Sequence, residues 1–398
     1  MKNRHVLLSG GLIVLITGLL ALTSCQKSSP TTVAPVSPVA APSGLMTNYG
    51  ESRVRRLAEK LHHSHRETIH ILVMGDSHTA ADFLSGQLRT MLQTRYGNGG
   101  PGFISPVKVP GNRYGNVNYS KSSGWQLETS RKTKEAAFTL GGDIAMPTAR
   151  NNLERITVTD GETELQAQAL YRSTGNATLL VADRAVSLTD THGGWLLSPA
   201  VPVSPSFSVS LKGRDSQLAG FWLTARHSRG VIVSALGING AQISMADKWP
   251  ADWPGTLKML RPDLVVLAYG TNEAFNTSLV PGIYRQDLIL QIRKIRQAVP
   301  DAAILLIGPG SSIQHREGTG CRQRQSPVLK TVIEIQKQVA EEEHTLFWDW
   351  FSFMGGDCAI EQWAAQRKAR PDLVHLQAEG YREVAEGLWK GLAPELEP

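Results

Sequence analysis

Ser77 stands at the end of a short apolar run, in "ILVMGDSHTAADF" (71–83), where a chain leaving a strand turns into a helix. A serine there lies where open α/β sheets hold their ligands, and beside the free N–H groups of a helix start. The same place suits a plain helix cap. A serine hydroxyl becomes a nucleophile when a histidine takes its proton and a carboxylate orients that histidine. His78 does not serve, because adjacent residues at a strand-to-turn junction point to different sides. A better base is His375 in "RPDLVHLQAEGY" (370–381), with Asp372 three residues before it. Two further stretches offer donors for a developing oxyanion: "GINGAQI" (237–243) with Gly240, and "YGTNEAF" (269–275) with Asn272. Together with the N–H of Ser77 they would make a three-donor hole for the tetrahedral intermediate of acyl transfer. Gly237 competes with Gly240 for that place.

Something must bring these distant residues together. Five continuous apolar runs read as strands buried on both faces: 71–74, 231–236, 264–269, 303–307 and 345–348. Helical periodicity follows them, with Leu84, Leu88, Met91 and Leu92 on one face, Leu288, Ile292 and Ile295 on another, and Ile333 and Val339 later. The alternation predicts a three-layer, doubly wound α/β domain on a parallel five-stranded sheet. Each candidate residue then falls just beyond a strand or in a loop at the same rim. Between about residues 105 and 225 the texture changes to period-two alternation, as in Phe207, Val209 and Leu211. In "ERITVTDGETELQAQAL" (154–170) two strands meet at Asp160-Gly161, which predicts a hairpin. We expect an inserted all-β sandwich over 105–225, dividing the α/β domain into 46–104 and 226–398.

Four stretches in this order, "GDSH", "GING", "GTNE" and "DLVH", resemble the four sequence blocks of the SGNH (GDSL) hydrolases. The resemblance implies a carboxylic ester hydrolase with nucleophile Ser77, the pair Asp372 and His375, and oxyanion donors Ser77, Gly240 and Asn272. Ser77 and Gly240 lie 163 positions apart, far more than one β-α-β unit needs, and the β insert accounts for the excess. An export signal, "GDSHTAAD" and the insert together are similar to the peptidoglycan O-acetylesterases of Gram-negative bacteria. That narrower likeness implies removal of acetyl from the C6 hydroxyl of N-acetylmuramic acid through an acetyl-enzyme on Ser77, and a carbohydrate-binding-module-like insert. O-acetyl transfer, another carbohydrate or lipid ester, and a non-catalytic wall-binding lipoprotein remain alternatives.

The first 24 residues form an export signal: a basic start, an apolar middle and small residues before Cys25. "LTSC" resembles a bacterial lipobox, which implies that Cys25 is lipidated; Gln26 after it implies the outer membrane, on its periplasmic face. The Pro/Ser-rich stretch to residue 45 then reads as a tether. With Cys25 lipidated, only Cys321 and Cys358 remain, and in an exported protein they are expected to form a disulfide. The net charge of +6 is spread without a basic run, which argues against nucleic acid as a partner. The partners expected are O-acetylated peptidoglycan and the membrane. His62 and His65 in "LHHSH" lack companions for a metal site, and no metal or cofactor is expected. "HGGW" (192–195) reads as a turn, "EEEH" (341–344) as a solvated helix end, and Trp195 and Trp222 as core or as platforms for sugar.

Overall fold

The computed structural model describes residues 45–397 apart from 134, 214 and 316. The predicted signal peptide, Cys25 and nearly all of the tether therefore lie outside the described residues. The catalytic candidates ride on a six-stranded sheet with the order 46–48, 346–348, 303–307, 264–268, 68–75, 230–237. The last five strands run parallel and coincide, within one residue or a few, with the five apolar runs. They are apolar without interruption because successive side chains feed different cores. Leu72, Met74, Val265 and Leu267 join one cluster, while Ile71, Val73, Leu264 and Val266 join the other. The helices Val54–His62, Leu84–Tyr96 and Ala378–Leu392 cover the second cluster; Pro281–Ala298 and Leu329–Glu342 cover the first. Leu84, Leu88 and Leu92 are buried as expected, with Met91 half-buried.

The expectation of five strands is corrected to six. Met46–Asn48 pairs antiparallel with Leu346–Trp348 at the sheet edge. Its three residues, Met-Thr-Asn, are largely exposed and carry no apolar run, so backbone pairing alone makes them a strand.

Residues 117–225 fold into two antiparallel sheets. One has the order 184–188, 177–181, 206–212, 153–158, 117–123; the other runs 196–197, 165–172, 217–225, 143–147, 125–129, with 201–203 and 102–104 added. Phe207, Val209 and Leu211 of the first share one apolar cluster with Ala167, Phe221 and Leu223 of the second. The Asp160-Gly161 hairpin is not formed. Leu153–Val158 pairs with 206–209 and 117–123, whereas Leu165–Arg172 pairs with 217–225. The turn residues are where expected, with Gly161 at φ 90, but they carry the chain from one sheet to the other. Local turn chemistry marks the bend and leaves the pairing partner to tertiary packing.

The second β-sheet serves two cores. Ala169 and Phe221 face the sandwich, while Leu170, Ala219, Ile144 and Phe103 face the cluster that contains Leu72 and Leu236 of the parallel sheet. A polar seam joins them as well. The N–H of Phe103 donates to Ser234 Oγ at 2.8 Å, and Ser234 Oγ meets His70 Nε2 at 2.9 Å. Burial drives the His70 pKa down to about 4, so the ring stays neutral in that seam. The described residues accordingly fall in one compact unit. Trp195 and Trp222 pack against the same core. The predicted solvated end at 341–344 is corrected in part: Glu342 and Glu343 pair with Arg285 and Arg293 of the neighbouring helix.

Candidate active site

Strand Thr68–Gly75 has strand 264–268 on one side and 230–237 on the other, and the chain visits them in the order 68–75, 230–237, 264–268. The direction of winding therefore reverses beside Thr68–Gly75, at the topological switch point where such sheets open a crevice. Ser77 lies two residues beyond this strand, and Asn272 four beyond Ala268.

The turn at Ser77 is built from glycine and a cap. A Cβ on Gly75 would stand 2.2 Å from Thr79 Oγ1, and one on Gly237 would stand 1.9 Å from the N of Ala80. Only two bare backbones let the strand ends approach helix Ser77–Ala80 so closely. The helix starts at Ser77, where Asp76 Oδ1 caps it by accepting the N–H of His78 at 2.9 Å.

Ser77 Oγ lies 2.8 Å from His375 Nε2, and His375 Nδ1 lies 3.0 Å from Asp372 Oδ2. Two residues 298 positions apart are thus in hydrogen-bond contact. The spacing of three works through a tight loop instead of a helical turn. Leu373 takes a left-handed φ of 56, and Asp372 Oδ1 accepts the N–H groups of Val374 and His375 at 3.0 and 2.9 Å. Partial burial works to raise the Asp372 pKa, but those two N–H groups and the His375 ring outweigh it and hold the carboxyl below its ordinary range. The loop is fastened by the N–H of Arg370 donating to His375 O at 2.8 Å and that of Ile313 to Leu373 O at 2.9 Å.

His78 points away from Ser77 Oγ, as its place in the turn requires. Its Nδ1 meets Tyr381 OH at 2.8 Å, and burial lowers its pKa to about 3. Its ring stands edge-on to Trp350 at 5.0 Å and lies 5.3 Å from the His375 ring, forming a wall behind the base.

Asn272 Nδ2 donates to Ala241 O at 2.9 Å and reaches Asp76 Oδ2 at 3.4 Å. The two candidate glycines have different reasons to be glycine. Gly237 is buried against Ala80, whereas Gly240 is exposed, takes φ 79, and a Cβ there would meet nothing within 4 Å. Two carboxyls that sequence reasoning passed over brace this side. Asp76 and Glu273 are each 1% exposed, and burial lifts both pKa values to about 7. Glu273 Oε1 accepts the N–H of Ile243 at 2.7 Å, tying "GTNE" to the loop that carries Gly240. Both sit inside quoted motifs, immediately beside a strand end or a candidate donor, which was the signal available.

Cys321 and Cys358 are joined by a disulfide, with Cα atoms 5.8 Å apart. His62 and His65 are exposed, and "HGGW" is a turn in which the Trp195 indole N–H donates to Ala137 O at 2.8 Å.

An arrangement of this kind can activate Ser77 toward an ester carbonyl. Comparison with known proteins agrees. Residues 191–383 match the GDSL-like lipase/acylhydrolase family, and residues 99–204 match the family described as peptidoglycan O-acetylesterase, N-terminal. A solved structure titled "Peptidoglycan O-acetylesterase in action" is 33% identical, with a TM-score of 0.81, covering 89% of this chain and 99% of its own. An acetyl xylan esterase is 20% identical over 40% of this chain and 79% of its own, with a TM-score of 0.31. A Corynascus thermopiles (Myceliophthora fergusii) carbohydrate esterase family 2 enzyme with its carbohydrate binding domain is 13% identical over 70% and 99%, with a TM-score of 0.30. No curated protein matches in sequence.

Proposed function

Because this chain belongs to the GDSL (SGNH) hydrolases and is a carboxylic ester hydrolase, we propose that it removes O-acetyl groups from the C6 hydroxyl of N-acetylmuramic acid in peptidoglycan. One observation carries the reading beyond ester hydrolysis in general. The peptidoglycan O-acetylesterase that matches at 33% identity spans both the parallel sheet and the β insert, not the catalytic blocks alone.

In this reading Ser77 Oγ attacks the acetyl carbonyl while His375 Nε2 takes its proton, across the 2.8 Å contact already present. Asp372 keeps the Nδ1 proton in place and offsets the imidazolium charge. The oxyanion is received by the N–H of Ser77, the N–H of Gly240 and the side chain of Asn272. Gly240 is preferred to Gly237 because it is exposed, with nothing within 4 Å of a Cβ there, while Gly237 is packed on Ala80. The second N–H of Asn272 is held only by the long 3.4 Å contact to Asp76, so an oxyanion can take it. His375 then gives that proton to the departing sugar oxygen, which leaves as the free hydroxyl with an acetyl-enzyme on Ser77, and activates the water that hydrolyses it.

The lipobox resemblance supports a lipid anchor at Cys25 and a place in the periplasm on the outer membrane. The match of residues 99–204 to the N-terminal family of peptidoglycan O-acetylesterases supports a role for the insert in meeting the glycan.

Acetate released from O-acetylated sacculi tests the reading, with base-treated, deacetylated sacculi as the blank. Release is expected from the parent protein, and Ser77→Ala is expected to abolish it with the fold retained. Turnover of p-nitrophenyl acetate without acetate release from sacculi would overturn the choice of substrate.

A further inference from the structure

A cavity of about 190 Å³ lies where the insert meets the oxyanion side of the rim. Its hydrolase wall is Gly237, Ile238 and Asn239, the residues immediately before Gly240. Its insert wall comes from strands Trp125–Thr129 and Asp143–Pro147 and from the loop around Pro110 and Asn112. The two walls are bonded to each other. Asn239 Nδ2 donates to Asn112 Oδ1 at 2.8 Å, and Asn112 Nδ2 to Gly237 O at 3.3 Å. The cavity thus has a fixed position relative to the candidate oxyanion glycine.

Asp143 is the anomaly in this wall. It is 6% exposed, yet among the described residues no cation pairs with it, and its one side-chain hydrogen bond there is a long contact from Ser105 Oγ at 3.5 Å. A buried carboxyl with so little company is costly unless something else completes it. We propose that this cavity is a sugar subsite, in which the Asp143 carboxyl hydrogen-bonds a neutral hydroxyl or amide of the glycan residue that carries the ester. The proposal rests on the reading of the substrate as a glycan.

A neutral partner fits better than a charged one. Burial lifts the Asp143 pKa to about 8, so at neutral pH the carboxyl can both donate and accept, as a hydroxyl or an amide can. A cationic ligand would need that group ionised. At the mouth stand Arg131, Lys132 and Glu128, which present both signs of charge to whatever continues out of the cavity. The position, on the residues that lead directly into Gly240, makes the contact one that sets which sugar lies at the ester.

The test is competitive inhibition of p-nitrophenyl acetate hydrolysis by N,N′-diacetylchitobiose on the full chain. The parent is expected to be inhibited. Asp143→Leu is expected to weaken inhibition by about tenfold, the size of one lost hydrogen bond to a buried group, and Asp143→Asn to keep most of it. Pro110→Arg, an exposed substitution that narrows the mouth without touching the core, is expected to weaken it also and covers the case in which Asp143→Leu does not fold. No inhibition of the parent, or equal inhibition of parent, Asp143→Leu and Pro110→Arg, would overturn the subsite. Failure of the substrate reading shows separately, as an absence of acetate release from sacculi.

Discussion

The two sides of the catalytic rim use carboxyl groups in opposite ways. On the triad side, Asp372 is about a third exposed and accepts from two backbone N–H groups and the His375 ring, so it is held ionised. On the oxyanion side, Asp76 and Glu273 are sealed from water, and burial outweighs the hydrogen bonds they accept and pushes both toward the neutral form. One side needs a charge to steady an imidazolium. In the proposed reaction the other receives a negative charge, and a second anion beneath it would oppose that. The same residue type suits both because its surroundings choose its protonation state.

Breaking the triad side should produce the larger loss. Asp372→Asn keeps the shape but removes the charge, and kcat for p-nitrophenyl acetate should fall about 10⁴-fold. Retention of more than a tenth of the parent rate would show that His375 does not depend on that carboxylate. On the other side, Asn272→Ala should lower kcat by about 10²–10³ with KM little changed, as expected for a donor used mainly in the transition state. A change confined to KM would place Asn272 in ground-state binding.

The contrast also has a signature in stability. Asp76 and Glu273 have folded pKa values near 7, above ordinary values of 3.8 and 4.5. The folded state therefore binds more protons than the unfolded state between about pH 4 and pH 7, and stability falls as pH rises through that window. Asp372 has the opposite sign: its contribution is present above the ordinary carboxylate range and is lost as pH falls through its lowered pKa. Thermal melts should show a midpoint that declines by several degrees from pH 4 to pH 7, and Asp76→Asn should flatten part of the decline. An unchanged slope in that variant would mean that Asp76 is ionised in the folded protein.

The smallest effect on turnover is expected from the disulfide. Replacing Cys321 and Cys358 by serine should cost about 3–4 kcal/mol of stability for a loop of this length, read as a lower melting midpoint, with turnover at 25 °C close to the parent. A large loss of turnover at that temperature would tie the bridge to the site itself.

Much of this was legible in the sequence, and the exceptions have physical reasons. The five parallel strands could be read because burial on both faces makes them apolar throughout, and Ser77, Asp372 and His375 because chemistry restricts which residues will serve. The strand Met46–Asn48 could not, since it exists by pairing alone. The bend at Asp160-Gly161 was visible but its consequence was not, because partner choice between two sheets depends on packing far along the chain. Asp76, Glu273 and Asp143 stood in view as ordinary acidic residues. What distinguishes them is the water they lack, and no local pattern records that.

The β-sheet that carries Phe103, Leu170 and Ala219 on one face and Ala169 and Phe221 on the other has a consequence for dissection of the chain. Excising residues 105–225 would not return a minimal hydrolase; it would strip the covering from Leu72 and Leu236 and leave a greasy wound beside the nucleophile. Heating should accordingly melt sheet and insert in a single transition, with no stage at which one outlives the other.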